Sequence, residues 1–334
     1  MRKEVFGVVL AMFICAFCIG TSPLWASSAP VTITFAHAAT EQTSQQAGVL
    51  AFKKYIEEHS AGRLKVDIYP NSQLGGDREL LEGCQEGSIT AITSGSAPQV
   101  NFVRNAVIFD LPFAFNSEEE ALKVFADAEF NAKLAEKYEP AGFKLMGASF
   151  LGFRATTSNF KIASPKDLAG MDIRTMENRY HMAFWRELGA NPTPIPFNEL
   201  YTSLQQGVVA GQENPLELIY AQKFYEHQKF VNLTRHLPQT LIWIMNKDFY
   251  HSLSDDLKEV VDKAAVAAME AAHEFAFGGM ERVTKELQGL GITIVDLSPQ
   301  EIEEFAKKST STWNLVKENC DEDLYNAFMK ARGR

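Results

Sequence analysis

Arg174 is the residue whose type and setting point most directly to chemistry. It follows a short apolar run, Met171–Ile173, that reads as a strand, at a point where a helix can begin. In open α/β sheets the space beyond a strand end is where ligands bind. A guanidinium there offers a planar fork of donors that fits a carboxylate with paired hydrogen bonds, and it stays charged when desolvated. Further on, Gly211-Gln212-Glu213-Asn214-Pro215 reads as a polar turn with a forced break. The Asn214 amide can both donate and accept, so it suits a carboxylate oxygen or a hydroxyl. Glu213 beside it could orient an arginine instead. Phe197, after Pro196, could cover a ligand body, and Tyr201 and Gln205, one helical turn apart, could support the wall of such a site. Each has an ordinary structural alternative: an ion-paired arginine, an asparagine in a turn before proline, an aromatic in the core.

The elements around these residues alternate. Val31–Phe35, Leu64–Tyr69 and Ile89–Thr93 read as strands, separated by helical patterns at Ser44–Ser60 and Asp77–Glu86. That β-α-β-α-β run implies parallel pairing. In the first helix Ala47, Leu50, Ala51 and Ile56 recur at helical spacing. Ser117–Glu120 and Ser298–Glu301 are capping-box patterns, and Ser164–Asp167 is another helix start. Phe143–Ala148, Thr240–Met245 and Ile292–Val295 return to strand character, and Arg154–Ser158 reads as the start of a second domain. A long helical pattern runs from Ser254 to about Gly289, with a stripe of Val260, Val261, Ala264, Ala268, Ala271 and Phe275, interrupted only by Gly278-Gly279.

The N-terminus has a basic start, Arg2-Lys3, an apolar stretch from Val5 to Ile19, and small residues at Ala26–Ala29. This is the pattern of a cleaved secretory signal peptide, expected at 1–28, and the apolar stretch is short for a membrane span. About 305 residues remain, enough for two domains. The net charge of −10 becomes −11 without Arg2, Lys3 and Glu4, which argues against a nucleic-acid partner. An anionic ligand is still compatible, because the local field governs a site. Cys84 and Cys320 are too few and too far apart for a disulfide framework, so isolated thiols are expected.

Taken together, the motifs resemble the solute-binding proteins of TRAP transporters, the DctP type. Four stand in order: Leu168-x-Gly170-x-x-Ile173-Arg174, Gly189-Ala190-x-Pro192-Thr193-Pro194-x-Pro196-Phe197, Glu199-Leu200-Tyr201-x-x-Leu204-Gln205 and Gly211-Gln212-Glu213-Asn214-Pro215. Tyr69–Glu79 and Phe109-Asp110-Leu111-Pro112-Phe113 extend the likeness. The resemblance implies a two-domain α/β periplasmic-binding-protein fold with a ligand cleft and a long helix spanning both domains. Domain I is expected at 29–152 with 240–279, and domain II at 153–239 with 280–334. It implies a periplasmic receptor, expected to be monomeric, that hands a small organic carboxylate to the membrane subunits of a TRAP permease. Arg174 is then the carboxylate clamp, and Arg154 resembles a second ligand-facing arginine. Asn214 and Phe197 would contact ligand. No cofactor or metal is implied by any acidic cluster.

The chain departs from the sialic-acid receptors of that family. They carry an asparagine after the first strand and a glutamate at the end of the strand after Ser88, where this chain has Ala38 and Gly95. His37, Phe153, Trp185 and Trp243 are available as apolar or aromatic wall. The expectation is a 2-oxo, 2-hydroxy or 2-amino acid with an apolar or aromatic body, with uronic or other sugar acids as the alternative. A secreted hydrolase on an α/β scaffold is the rival class, but no H-E-x-x-H, P-loop, G-x-G-x-x-G or G-x-S-x-G motif is present. An ABC-importer receptor would share the fold but not the signature of Asp167–Pro215. His236 reads as structural rather than as a base. Asn232-Leu233-Thr234 matches a glycosylation sequon only weakly.

Overall fold

The computed structural model describes residues 29–333, so the expected signal peptide lies outside the described residues. The strands are β1 (Val31–Ala36), β2 (Leu64–Tyr69), β3 (Ala91–Gly95), β4 (Phe143–Phe153), β5 (Ala155–Ser158), β6 (Asp172–Thr175), β7 (Asn191–Pro194), β8 (Gly211–Asn214), β9 (Phe230–Leu233), β10 (Pro238–Asn246) and β11 (Thr293–Asp296). They form two sheets, in the orders β2-β1-β3-β10-β4 and β11-β9-β5-β8-β6-β7. Helices cover the faces of each, giving a two-domain α/β molecule.

The three strands of the opening run are parallel, as their alternation with helices implies. β10 then enters antiparallel between β3 and β4. It is flanked on both edges and covered on both faces, so all nine of its residues are buried. That is why Leu241–Met245 is a continuous apolar run rather than an alternating one. The second sheet is also mixed: β5 is antiparallel to β8 and β9, while β6 is parallel to β7 and β8. Gly211 opens β8 where the backbones crowd. A Cβ there would lie 2.2 Å from the Thr157 carbonyl oxygen, so only glycine fits without moving β5.

Arg154 is the single residue between β4 of the first sheet and β5 of the second. Its N–H bonds the Leu237 carbonyl at 3.0 Å, on the returning segment between β9 and β10. The third crossing is helical. The sequence suggests one helix from Ser254 to Gly289, but the structure holds Asp255–Gly278 and Met280–Gly289, joined at Gly279. Hydrogen bonds bridge the joint, Gly279 N–H to Phe275 O at 3.2 Å and Val283 N–H to Gly279 O at 2.9 Å. The two helices serve different cores. Val261, Ala264, Ala268 and Ala272 pack with Phe35, Phe52 and Trp243, whereas Val283 and Leu287 pack with Leu216, Ile219 and Val231.

The buried faces of two helices differ from the stripes their spacing suggests. In the Ser44–His59 helix the buried apolar residues are Val49, Phe52 and Ile56, and Leu50 is 51% exposed. In the long helix Ala271 and Phe275 lie off the buried stripe, which continues through Ala272 and Ala276. Both patterns fit helical spacing, and only the position of the neighbouring element selects one. The Ser298–Glu301 capping box forms as expected. At Ser117 only half forms: Ser117 accepts from the Glu120 N–H, but the Glu120 carboxylate takes the Asn116 N–H.

The C-terminal segment departs from the expected boundary. Residues 310–331 form two helices whose Val316, Leu324 and Phe328 join the first core beside Phe109, Phe130 and Tyr138. Their apolar stripes find open surface on domain I, so the chain crosses back after β11. Cys84 and Cys320 are free thiols buried in that same core. Burial pushes Cys320 up to about 12 and Cys84 higher still. Asn232 of the sequon is fully buried, and its side chain bonds Ile162, Thr156 and Ser158.

Candidate functional site

The two arginines singled out by sequence have opposite surroundings. Arg154 is held on every side. Its Nε and Nη2 donate to the two oxygens of Glu213, the latter at 3.0 Å. Nη2 also donates to the Glu213 carbonyl at 2.6 Å and to Asn214 Oδ1 at 3.0 Å, while Nη1 donates to Gln239. All of these groups are buried. His236 lies against Glu213, with Nε2 at 3.1 Å from Oε2 and its Nδ1 at 2.8 Å from Thr234 Oγ1. Burial alone would raise the Glu213 pKa, but the Arg154 charge and the bonds from His236 and Arg154 hold the carboxylate well below the usual range. Burial likewise keeps His236 below its ordinary value, against the pull of Glu213. Arg154 and Glu213 therefore neutralise each other.

Arg174 has no such partner. It is 1% exposed, its Nε donates to the Ile195 carbonyl at 2.8 Å, and its Nη1 has no hydrogen-bond partner among the described residues. Burial pulls its pKa down to about 10, opposed mainly by Glu213, so it remains a cation at neutral pH. The guanidinium borders a cavity of about 80 Å³ lined by Asp77, Pro98, Met176, Glu177, Phe197 and Asn198, among others. Asp77 and Pro98 come from domain I and the rest from the loops after β6 and β7, so the cavity lies between the domains. Asp77 keeps some surface exposed, yet burial pushes its carboxyl up to about 6 against the attraction of Arg174.

The strand that carries Arg174 differs from the sequence expectation. β6 runs Asp172–Thr175, so the arginine is inside it, paired with Thr193 of β7. The following helix waits until Arg179, where Asn178 caps it. Pairing with β7 extends the ladder past the charged residue.

The other candidates divide. Phe197 lies on the same cavity as Arg174, edge-on to Phe224 at 6.1 Å. Gly95 ends β3 opposite domain II, and a Cβ there would meet only Met176, at 3.8 Å. Ala38 and His37 are buried in the loop after β1, where His37 Nε2 lies 2.8 Å from Gln46 Oε1 and burial lowers its pKa. Asn214 belongs to the Arg154 group: Oδ1 accepts from Arg154 and Nδ2 donates to Gln212 at 2.6 Å. Tyr201 points elsewhere, with its hydroxyl bonded to Glu226 and its ring against His227. Trp185 and Trp243 are core rather than wall. The first packs with Phe184 and His236, and the second with Phe35, its Nε1 bonded to Ser149.

Residues 35–319 match the model of the bacterial extracellular solute-binding proteins of family 7, DctP. The chain belongs to this family. A solute-binding protein of Verminephrobacter eiseniae is 34% identical over 274 residues, covering 81% of each chain. The sugar-acid-binding protein of Advenella mimigardefordensis, solved with galactonate, superposes with a TM-score of 0.86 at 28% identity, over 91% of this chain and 98% of that one. A TRAP periplasmic solute-binding protein of Shewanella oneidensis, solved with succinate, gives 0.86 at 26% identity, over 91% and 100%. The family is one of periplasmic transport receptors for small organic solutes, and these neighbours are receptors rather than enzymes. Among the described residues no helix is long and apolar enough to cross a membrane.

Sequence reasoning missed several residues of this family member that build the region. Asp110 accepts from Asn178 at 2.7 Å and lies 2.9 Å from His181 Nε2, which ties domain I to the start of the Arg179–Glu187 helix. Asn178 also donates to the Ala97 carbonyl at 3.0 Å. An asparagine before a helical pattern is a cap signal, so Asn178 was findable. Asp77 opens a helix after two glycines, another local signal. Gln239 and His181 carry no local mark; only the fold brings them to Arg154 and Asp110.

Proposed function

We propose that this protein is the periplasmic receptor of a TRAP transporter and that it holds a small organic carboxylate through Arg174 in the cleft between its domains. The observation that supports this most is a buried guanidinium with an unpartnered Nη1, beside a glutamate already neutralised by another arginine. An unpaired buried charge is costly, and a ligand carboxylate supplies both the countercharge and the acceptor oxygens. Arg154, Glu213 and Asn214 act as support, fixing the polypeptide crossing between the domains. Ligand bound between the domains favours the closed arrangement by the contacts made only there. The closed receptor then delivers its ligand to the membrane subunits of the permease. Removal of residues 1–28 on export belongs to the same proposal.

The body of the ligand is read from the two departures in sequence, Ala38 and Gly95, which lie outside the lining of the Arg174 cavity, together with Phe197, which lines it. Ala38 and Gly95 offer no side-chain hydrogen bonds, and a buried hydroxyl without a partner costs about 1–3 kcal/mol. Phe197 provides an aromatic face. A 2-hydroxy, 2-amino or 2-oxo acid with an apolar or aromatic body is therefore preferred. A sugar acid is the second reading, favoured by the galactonate of the Advenella neighbour and by the polar groups Asp77, Glu177 and Asn198 around the cavity. A thermal-shift panel of acids and their amides, followed by calorimetry, tests both. Stabilisation by acids but not amides is expected. Stabilisation by neutral sugars alone would end the carboxylate reading, and tight binding of galactonate with none of phenylpyruvate or phenyllactate would replace the first ligand class by the second.

A further inference from the structure

The Ser44–His59 helix of domain I has no acidic residue in its first turn. Its N-terminus is nonetheless buried, with Ser44, Gln45 and Gln46 all enclosed. The anion that such a terminus favours comes from the other domain. Glu217, in the Leu216–Ala221 helix, accepts the Ser44 N–H at 2.5 Å. Glu217 is 7% exposed, and Leu216 and Ile219 of its helix are rooted in the core of domain II. A second bond runs beside it, Gln222 Nε2 to Thr40 Oγ1 at 3.3 Å. Next to the contact lies a cavity of about 470 Å³ lined by Glu41, Tyr220, Gly279 and Met280 among others, at the joint between the two long helices. The two domains thus touch here through discrete polar contacts rather than a continuous core.

We propose that Glu217 is a positioning residue for ligand binding: it latches the domains in the closed arrangement by capping the first helix of domain I from domain II. The inference rests on the reading of the protein as a receptor that closes on its ligand. A carboxylate at a helix N-terminus gains from the free N–H groups and from the dipole. In an opened molecule both partners return to water, so the gain belongs to the closed state alone. Glu217 stands just after β8, which ends at Asn214, in the first turn of the Leu216–Ala221 helix, and His37 is bonded to Gln46 of the capped helix. The latch therefore joins the two domains apart from the Arg174 cavity, whose lining includes no residue of either helix, so it acts on closure rather than on ligand contact.

Two substitutions remove the contact from opposite sides. Glu217→Ala deletes the acceptor. Ser44→Pro deletes both Ser44 donors to Glu217, the N–H and the hydroxyl, and proline is tolerated at a first helical position because no intrahelical bond is lost there. Glu217→Gln keeps an acceptor oxygen without the charge and guards against a folding defect. The readout is the distance distribution between spin labels at Leu50→Cys and Val208→Cys, exposed positions in the two domains. It is recorded without ligand, with phenylpyruvate and with galactonate. The expected result is a closed-to-open ratio lowered about tenfold by Glu217→Ala and by Ser44→Pro, and less by Glu217→Gln. The double variant should fall no further than either single one. For a probe that binds, dissociation accelerates by a similar factor while association is unchanged. Variants with the wild-type distribution would overturn the latch, as would a wild-type protein with no closed population in any condition. Failure of the wild type to bind either acid would instead count against the carboxylate reading, while the ligand-free distances still decide the latch.

Discussion

Glu213 accepts two hydrogen bonds from Arg154, one of them at 3.0 Å from Nη2, and none from Arg174, although both arginines are buried near it. This pairing leaves one guanidinium satisfied and the other short of an anion. It separates two residues that look alike in sequence into a structural ion pair and a candidate ligand clamp.

Arg174→Ala should abolish carboxylate binding in a folded protein. Losing one partner of a buried charged pair costs about 2–5 kcal/mol. Arg174→Lys should also weaken binding, because an ammonium cannot reproduce the fork. Without ligand, the alanine variant should be at least as stable as wild type, since a buried cation with an orphan Nη1 has been removed. Calorimetric titration and thermal unfolding check both statements; near wild-type affinity in the alanine variant would refute the assignment.

Breaking the other pair should act on stability instead. Arg154→Met leaves Glu213 as an uncompensated buried charge, at a cost of about 3–5 kcal/mol. Arg154→Met with Glu213→Leu should cost less than the sum of the single changes, because the sites share one network. Denaturant midpoints measure this. The acid limb of stability follows with the same sign from two groups. Glu213 has a folded pKa depressed below its ordinary 4.5, so its contribution is present above that value and is lost as pH falls. His236 is depressed below 6.5, so the unfolded chain binds its proton first and stability is lost as pH falls below about 6.5. Glu213→Gln should flatten the stability profile at its acid end.

Asp77 works in the opposite direction. Its folded pKa, about 6, lies above the ordinary 3.8, so the charged form costs stability above pH 6 and the cost is relieved as pH falls. Because the residue keeps exposed surface, Asp77→Asn should raise neutral-pH stability by only on the order of 1 kcal/mol. A bound carboxylate beside Arg174 adds a like charge and raises the Asp77 pKa further. Binding should therefore take up protons near pH 6 and tighten as pH falls through that range. Titrations in buffers of different ionisation enthalpy would reveal the uptake, which Asp77→Asn should abolish.

Gly48→Ala should be destabilising by about 1–3 kcal/mol through overpacking. A Cβ at Gly48 would lie 2.7 Å from the Ala268 carbonyl oxygen and 2.4 Å from the Trp243 ring. Gly62→Ala, with open space around a Cβ but a φ of +74°, tests the contrasting case, in which backbone strain alone sets the cost. Chemical denaturation compares the two, and an unaffected Gly48→Ala would contradict the close approach of the Ser44–His59 helix to Asp255–Gly278.

The sequence by itself determined what depends on near neighbours along the chain. The strand at Leu64–Tyr69, the helix at Asp77–Glu86 and the capping box of Ser298 with Glu301 arise from side-chain alternation, helical spacing and short-range hydrogen bonds. The family, too, is legible in motifs that stand in order between Leu168 and Pro215. Which helical face is buried was not legible: Leu50 and Val49 fit the same periodicity, and only the neighbouring sheet and helix select Val49. Nor was the division of labour between Arg154 and Arg174. Arg154 meets Glu213 and Gln239 across 59 and 85 residues of chain, and Glu217 reaches Ser44 across 173. Burial and pairing of charges over such separations depend on how two sheets are brought together, and that is decided by tertiary structure.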